Sequence, residues 1–246
     1  MIKEFIVEKC KWKNDCQSPV VLMIDDLANK WIDIKNTSEC VKGSDWGYLK
    51  KDCDSFFHIL NNQLLNKYPY VKCTLFLVVG RREGIIKGGN NYLSYDITEN
   101  GFSEFLKELC NDERFELAYH GLTHGICGDT REEFVEEWNT YSNLEEAIKK
   151  IEIGKKIFKD TVGVNFNGGK YCGYCYNDFS DESIVKTNFK WWCRHWDSIL
   201  LNNYKIKSNV LSLQLDYFND VIDIPSTIDG SFYSLKSYKK YFQKNI

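Results

Sequence analysis

Residues 20–26 read VVLMIDD, so five apolar residues run directly into Asp25 and Asp26. A short apolar run of this kind predicts a buried β-strand over residues 20–24. In folds built on parallel strands, ligands collect just past the carboxyl ends of the strands. The position of the two aspartates therefore favours a functional role, with a helix N-cap as the simpler alternative.

Apolar strand-like runs alternate with amphipathic stretches along the rest of the chain, which indicates an α/β fold with parallel strands. Helices are predicted over residues 55–68, 101–110 and 234–246, and further strands over residues 72–79, 115–119, 188–197 and 221–227. The 246 residues, 43% of them apolar, suit a single domain spanning residues 1–246. A polar, irregular stretch predicts an insertion around residues 29–55, over the face where the strands end.

Charge and composition narrow the classes of function. The net charge of −3 and the lack of a long basic block give no support for nucleic-acid binding. Residues 1–13 contain no uninterrupted apolar stretch, so we expect no signal peptide, no membrane span and a cytoplasmic location. The ten cysteines are scattered, and we expect reduced thiols. Only Cys172 and Cys175 form a CxxC pair, which leaves redox or metal use as the weakest alternative.

Residues 120–124 read HGLTH and place two imidazoles four residues apart, directly after a predicted strand. His120, His124 and Asp26 together form a two-histidine, one-carboxylate set, which is typical of a metal site with open positions for water and substrate. The alternative is a turn stabilised by hydrogen bonds between aspartate and histidine. Adjacent side chains diverge on an extended backbone, so Asp25 is free to face the water while Asp26 binds the metal.

These motifs resemble the polysaccharide-deacetylase family, carbohydrate esterase family four. The resemblance rests on MIDD at residues 23–26, the strand CTLFLV at residues 73–78, and FELA followed by the two histidines at residues 115–124. The resemblance implies a distorted (β/α) barrel that holds a divalent metal, most simply Zn²⁺, with Co²⁺, Ni²⁺ or Fe²⁺ as alternatives. It also implies an enzyme that hydrolyses an N- or O-acetyl group on a sugar. One departure is Gly121, which stands where the family usually has serine or threonine.

The resemblance also assigns roles. Asp25 would be the catalytic base, with Asp26, His120 and His124 as metal ligands. The third family motif normally contains arginine and proline, whereas residues 166–171 read FNGGKY. Lys170 is then the candidate electrostatic substitute for the arginine, and Gly169 and Tyr171 are the candidates for a loop whose backbone N–H groups stabilise the oxyanion.

A general acid and an anion clamp complete the predicted site. The family's last motif supplies a histidine, but no histidine follows His195 here. Either His195 takes that role or the sequence given ends before it. The fourth motif corresponds to Trp191, Trp192, Trp196 and Asp197, which serve either packing or sugar binding.

Arg81 and Arg82 follow a predicted strand and would clamp a phosphate or carboxylate, unless they belong to a solvated loop. This favours an acetylated sugar precursor, nucleotide- or lipid-linked. Two further alternatives stay open: a carbohydrate-binding pseudoenzyme that keeps the metal site, and a metal-dependent amidohydrolase with a different substrate.

Overall fold

The computed structural model describes residues 22–29, 56–87, 94–194 and 216–226. Within these ranges the chain forms a seven-stranded sheet and a separate two-stranded hairpin. The strands of the large sheet are β1 (Leu22–Leu27), β2 (Cys73–Leu77), β3 (Phe115–Tyr119), β6 (Gly168–Lys170), β7 (Trp191–Cys193), β8 (Asp216–Phe218) and β9 (Val221–Asp223). The hairpin consists of β4 (Gly125–Ile126) and β5 (Val135–Glu136).

The sheet is mostly parallel. Its strand order is β1-β2-β3-β6-β7-β9-β8, and only β8 runs antiparallel to its neighbour. Each of the six parallel strands lies beside the next one along the chain, as in a (β/α) barrel. Among the described residues β1 and β8 remain open edges, so the arrangement is an unclosed, distorted barrel. The predicted α/β class with parallel strands is confirmed.

The helices lie between the strands. They are α1 (Phe56–His58), which continues as the π-helix Ile59–Leu65, then α2 (Phe102–Asn111), α3 (Leu144–Val162) and α4 (Ser180–Lys186). The predictions over residues 55–68 and 101–110 are confirmed to within three residues at the described ends. Helix α3 begins where the Asn143 side chain accepts the backbone N–H of Glu146, and it ends at Gly163 in the left-handed region.

The centre of the sheet forms the core. All five residues of β2 are buried, and the largest fully buried side chains include Trp138, Trp192, Tyr119 and Tyr171. The rings of Trp138 and Tyr171 are 5.1 Å apart, and those of Trp138 and Trp192 are 5.6 Å apart. For Trp192, packing therefore accounts for the position better than sugar binding does.

Several predictions fall on residues outside the described ranges. These are the general acid His195, the fourth-motif residues Trp196 and Asp197, the insertion beyond residue 29, and the helix over residues 234–246. None of the helices in the described ranges is both long and apolar enough to cross a membrane.

Candidate metal site

The parallel sheet brings the predicted site residues to one edge. Asp25 and Asp26 lie within β1, which continues to Leu27 and so ends three residues beyond the predicted strand of residues 20–24, and Leu27 pairs with Leu77 at the end of β2. His120 follows β3 directly, and its backbone N–H donates to the carbonyl of Leu77. These residues are far apart in sequence, and the pairing of β1, β2 and β3 places them side by side.

Three predicted metal ligands converge. The Oδ1 atom of Asp26 lies 3.0 Å from Nε2 of His124 and 3.7 Å from Nε2 of His120. In a tetrahedral zinc site with bonds of about 2.0–2.2 Å, two ligand atoms are roughly 3.3–3.6 Å apart. The observed separations lie around that value. One carboxylate oxygen and two imidazole nitrogens at these separations are a donor set of the kind that holds a divalent cation.

His120 is held in the form that a metal ligand requires. Its ring is buried, and Nδ1 lies 3.0 Å from the carbonyl oxygen of Lys170, which can only accept. The Nδ1–H therefore donates to this carbonyl and leaves the lone pair of Nε2 directed at Asp26. Burial also lowers the pKa of His120 to about 4, despite the opposing charge of Asp25, so the imidazole is neutral at physiological pH.

Two of the three candidate ligands have strained backbones. Asp26 has φ of 65° and His124 has φ of 74°, in the left-handed region that side chains with a Cβ rarely adopt. Each such residue costs on the order of 1 kcal/mol, and strain of this kind concentrates at functional sites. Strain at two residues whose side chains meet supports a ligand-binding role over a simple turn.

The carboxylate of Asp26 lies in a positive environment. Nη2 of Arg82 is 3.4 Å from Oδ2 of Asp26, and the Arg82 side chain is only 2% exposed. Burial disfavours ionisation of Asp26, but the guanidinium of Arg82 and the interactions with His124 and His120 outweigh it and hold the pKa of Asp26 well below its usual range. Asp26 is therefore ionised, as a metal ligand must be.

Asp25 has a different partner. Its Oδ2 atom accepts a hydrogen bond of 2.5 Å from Nζ of Lys170, whose side chain is 3% exposed. Lys170 also lies 2.8 Å from the hydroxyl of Tyr174. Burial alone would lower the pKa of Lys170, but Asp25 more than offsets this and the pKa is raised. Oδ1 of Asp25 is buried and has no hydrogen-bond partner in the described part of the chain.

The two arginines predicted as an anion clamp have separate environments. Arg81 has a side chain 58% exposed, with Glu99 3.9 Å away. Arg82 is buried against Asp26 and donates from Nη1 to its neighbour's carbonyl, that of Glu83. The expectation that both residues form one substrate clamp is therefore corrected: only Arg81 is accessible, because Arg82 balances the charge of a carboxylate inside the site.

Gly169 and Tyr171 make packing contacts at the centre of the sheet. A Cβ on Gly169 would overlap the ring of Trp192 and the carbonyl of Tyr119, so glycine is required for packing between the strands. The side chain of Tyr171 is fully buried, and its hydroxyl donates to Asp181. Its backbone N–H donates to the carbonyl of Cys193 at 3.4 Å, so the predicted role as an oxyanion donor is corrected to a structural one.

Cys172 lies beside the histidines, which sequence reasoning missed. Ligand atoms of His120, His124 and Cys172 lie within 4.8 Å of one another. The thiol donates to the carbonyl of His120 at 3.2 Å, and burial raises its pKa well above the usual value. The CxxC spacing drew attention to Cys172 for redox or metal use, and the fold places its thiol beside the two histidines of the candidate metal site.

No protein-family model and no curated protein matches this sequence. Solved structures of deacetylases and of an esterase resemble this chain. The BpsB deacetylase domain from Bordetella bronchiseptica is 12% identical, with a TM-score of 0.46 over 71% of this chain and 63% of that one. A de-N-acetylase from Aggregatibacter actinomycetemcomitans is also 12% identical, with a TM-score of 0.41 over 58% and 60%.

A family 4 acetyl xylan esterase from Clostridium thermocellum, solved with a cobalt ion, is 12% identical, with a TM-score of 0.38 over 66% of this chain and 53% of that one. The chain thus spans between about half and two thirds of the length of these proteins.

Proposed function

We propose that this chain is a metal-dependent hydrolase that removes an acetyl group, N- or O-linked, from a sugar or sugar precursor. The observation that carries the proposal is the meeting of Asp26, His120 and His124 beside the ion pair of Asp25 and Lys170. The first three offer one carboxylate and two imidazoles to a divalent cation. The last two offer a base held in place at the same edge of the sheet.

The residues of the chain divide the work of hydrolysis. A divalent cation held by Asp26, His120 and His124 would polarise the acetyl carbonyl and acidify a water molecule. Asp25 takes the proton of the attacking water as the new carbon–oxygen bond forms, and its buried Oδ1 has a free lone pair for this. The bond to the amine or hydroxyl then breaks, and the leaving group takes up a proton as acetate departs. We propose His195 as the donor of that proton.

Lys170 takes the part that the family resemblance gives to an arginine. Its ammonium group holds Oδ2 of Asp25 at 2.5 Å and is itself held by Tyr174, whose ring centroid is 4.0 Å from Nζ. An ammonium group is a compact charge with no planar fork. It fixes one oxygen of the base and leaves the other for the reaction, so the missing arginine is compatible with turnover.

The substrate class follows from two features. An acetylated sugar is what the motif resemblance implies, and the exposed Arg81, which precedes the Asp26 partner Arg82 in sequence, offers a cation for a phosphate or carboxylate. We therefore propose a nucleotide- or lipid-linked sugar precursor in the cytoplasm. Zn²⁺ is the proposed cation, with Co²⁺, Ni²⁺ or Fe²⁺ as alternatives, because two imidazoles and a carboxylate suit all four.

Metal analysis coupled to an acetate-release assay tests the proposal. The purified chain should carry close to one divalent metal per molecule and release acetate from acetylated sugars or nucleotide sugars. The double variant His120→Ala, His124→Ala should lose both, whereas His58→Ala, a matched histidine on α1, should lose neither. Full metal content in the double variant would contradict the metal site. Metal and sugar binding without acetate release would favour the pseudoenzyme instead.

A further inference from the structure

We propose that Glu137 is a positioning residue for the metal site, because its buried carboxylate fixes the loop of residues 121–124 and thereby aims His124 at Asp26. Neither the motifs nor the resemblance drew attention to this residue. The inference rests on the proposed function in one respect, namely that the site binds a metal ion.

The carboxylate of Glu137 accepts hydrogen bonds from three consecutive backbone N–H groups. Oε1 accepts from Leu122, and Oε2 accepts from Thr123 and His124, each at 2.8 Å. The hydroxyl of Tyr141 donates to Oε1 at 2.5 Å. Glu137 is only 2% exposed, so four donors satisfy an anion that would otherwise be costly to bury.

The fold holds Glu137 firmly at this place. Strands β4 and β5 pair Gly125 with Glu136, which sets the next residue beside the histidine loop. The backbone N–H of Glu137 also donates to the carbonyl of His124 at 3.1 Å. The following residue, Trp138, is fully buried in the aromatic core. A rigid element therefore carries the carboxylate, as a positioning group requires.

His124 needs such support more than His120 does. The ring of His120 is fixed by the bond from Nδ1 to the carbonyl of Lys170. Nδ1 of His124, by contrast, is buried and has no hydrogen-bond partner within the described ranges. The direction of its ring depends on a backbone with φ of 74°, and Glu137 holds that backbone through the His124 N–H. The carboxylate of Glu137 thus fixes the orientation of the His124 ring through the main chain, whereas a hydrogen bond to the ring nitrogen usually fixes it.

The same contact explains Gly121, the departure from the family pattern. Gly121 has φ of 88°, and a Cβ at this position would overlap the carboxylate of Glu137 and lie 3.2 Å from Sγ of Cys172. Serine or threonine therefore does not fit beside Glu137. The hydroxyl that the family usually places after its first histidine is absent here, and the carboxylate provides the hydrogen bonds that order the loop.

Cobalt titration of the full chain tests the inference. Metal-free wild type, Glu137→Gln, Glu137→Ala and the control Glu133→Ala are titrated with Co²⁺ alone, and the visible absorption of the bound ion is recorded. Glu133 is a fair control because its carboxylate also accepts two backbone N–H groups, in an exposed turn. We expect Glu137→Gln to weaken Co²⁺ binding by about 10–100-fold and to change the visible spectrum, with Glu137→Ala worse and Glu133→Ala like wild type.

The outcomes separate this inference from the proposed function. If wild type fails to bind Co²⁺, both are overturned. If wild type binds it and both Glu137 variants bind it with the same affinity and spectrum, only the role of Glu137 is overturned. If far-ultraviolet circular dichroism shows that even Glu137→Gln is unfolded, the carboxylate serves the stability of the domain, and the positioning role is again overturned.

Discussion

Replacing Lys170 by methionine is the sharpest test of the catalytic arrangement. Methionine keeps most of the volume of the side chain but removes the charge that pairs with Asp25. Breaking one partner out of a fully buried ion pair costs about 3–5 kcal/mol. The side chain of Asp25 is 38% exposed, so water can solvate it again, and we expect a loss of stability nearer ~1–3 kcal/mol.

The effect on turnover should exceed what the loss of stability explains. Asp25 without Lys170 loses the contact that fixes its position, so we expect kcat to fall by about 10–100-fold, against roughly 10²–10⁴-fold for loss of the base itself. Lys170→Arg keeps the charge and should retain more activity than Lys170→Met. The raised pKa of Lys170 means that its pairing is complete below the ordinary value of 10.5 and is lost only as pH rises beyond it, so the pairing should not contribute to the pH dependence of wild-type kcat near neutrality.

Two quantities are measured for each variant. Urea unfolding, followed by tryptophan fluorescence, gives the free energy of unfolding. Acetate release, measured under conditions where the variant is folded, gives kcat. Lys156→Met is the control, because Lys156 forms an exposed ion pair with Asp160 and should change stability by less than about 0.5 kcal/mol. A Lys170→Met variant with wild-type kcat would refute the idea that Lys170 replaces the arginine. A variant with wild-type stability would refute the buried ion pair.

Further predictions concern four single substitutions. Asp25→Asn should keep the metal and lose turnover, and loss of metal in this variant would mean that Asp25 is a ligand. Arg81→Ala should raise KM for an anionic sugar severalfold without affecting metal content. Arg82→Ala should weaken metal retention because it removes the partner of Asp26. If both variants instead raise KM equally and keep the metal, the two arginines form one substrate clamp after all. His195→Ala should lower kcat by roughly 10²–10⁴-fold, and an unchanged kcat with an unchanged acidic limb of the pH profile would remove His195 from the mechanism.

Local pattern was sufficient to predict the frame of this protein. The apolar runs predicted β2 and β3, and the helical spacing predicted α1 and α2. Polar residues at the ends of these strands indicated where a site would form, because parallel strands end at a common edge. The spacing of His120 and His124, with Asp26, predicted three side chains that the fold does bring together. Their roles as metal ligands stay predictions.

The errors came from residues whose neighbours are distant in sequence. Arg82 and Tyr171 were expected to face substrate, yet one is buried against Asp26 and the other lies in the aromatic core. Side-chain burial depends on which strands pack together. The sequence around Arg82, which follows the exposed Arg81, therefore does not indicate that Asp26 is its partner. Likewise, Cys172 is recognisable as part of a CxxC pair but not as a neighbour of the histidines.

The sequence by itself determined the strand-and-helix alternation and the chemistry available at the strand ends, because hydrophobic periodicity and residue type are local properties. Only the tertiary structure decided how that chemistry is supported. Glu137 stands 13 residues beyond His124 without any motif, and Lys170 stands 145 residues beyond Asp25. The hairpin places the buried carboxylate of Glu137 beside the backbone N–H of His124, and the sheet places the ammonium group of Lys170 beside Asp25. These pairings follow from the fold because a buried charge is tolerated only where such partners meet it.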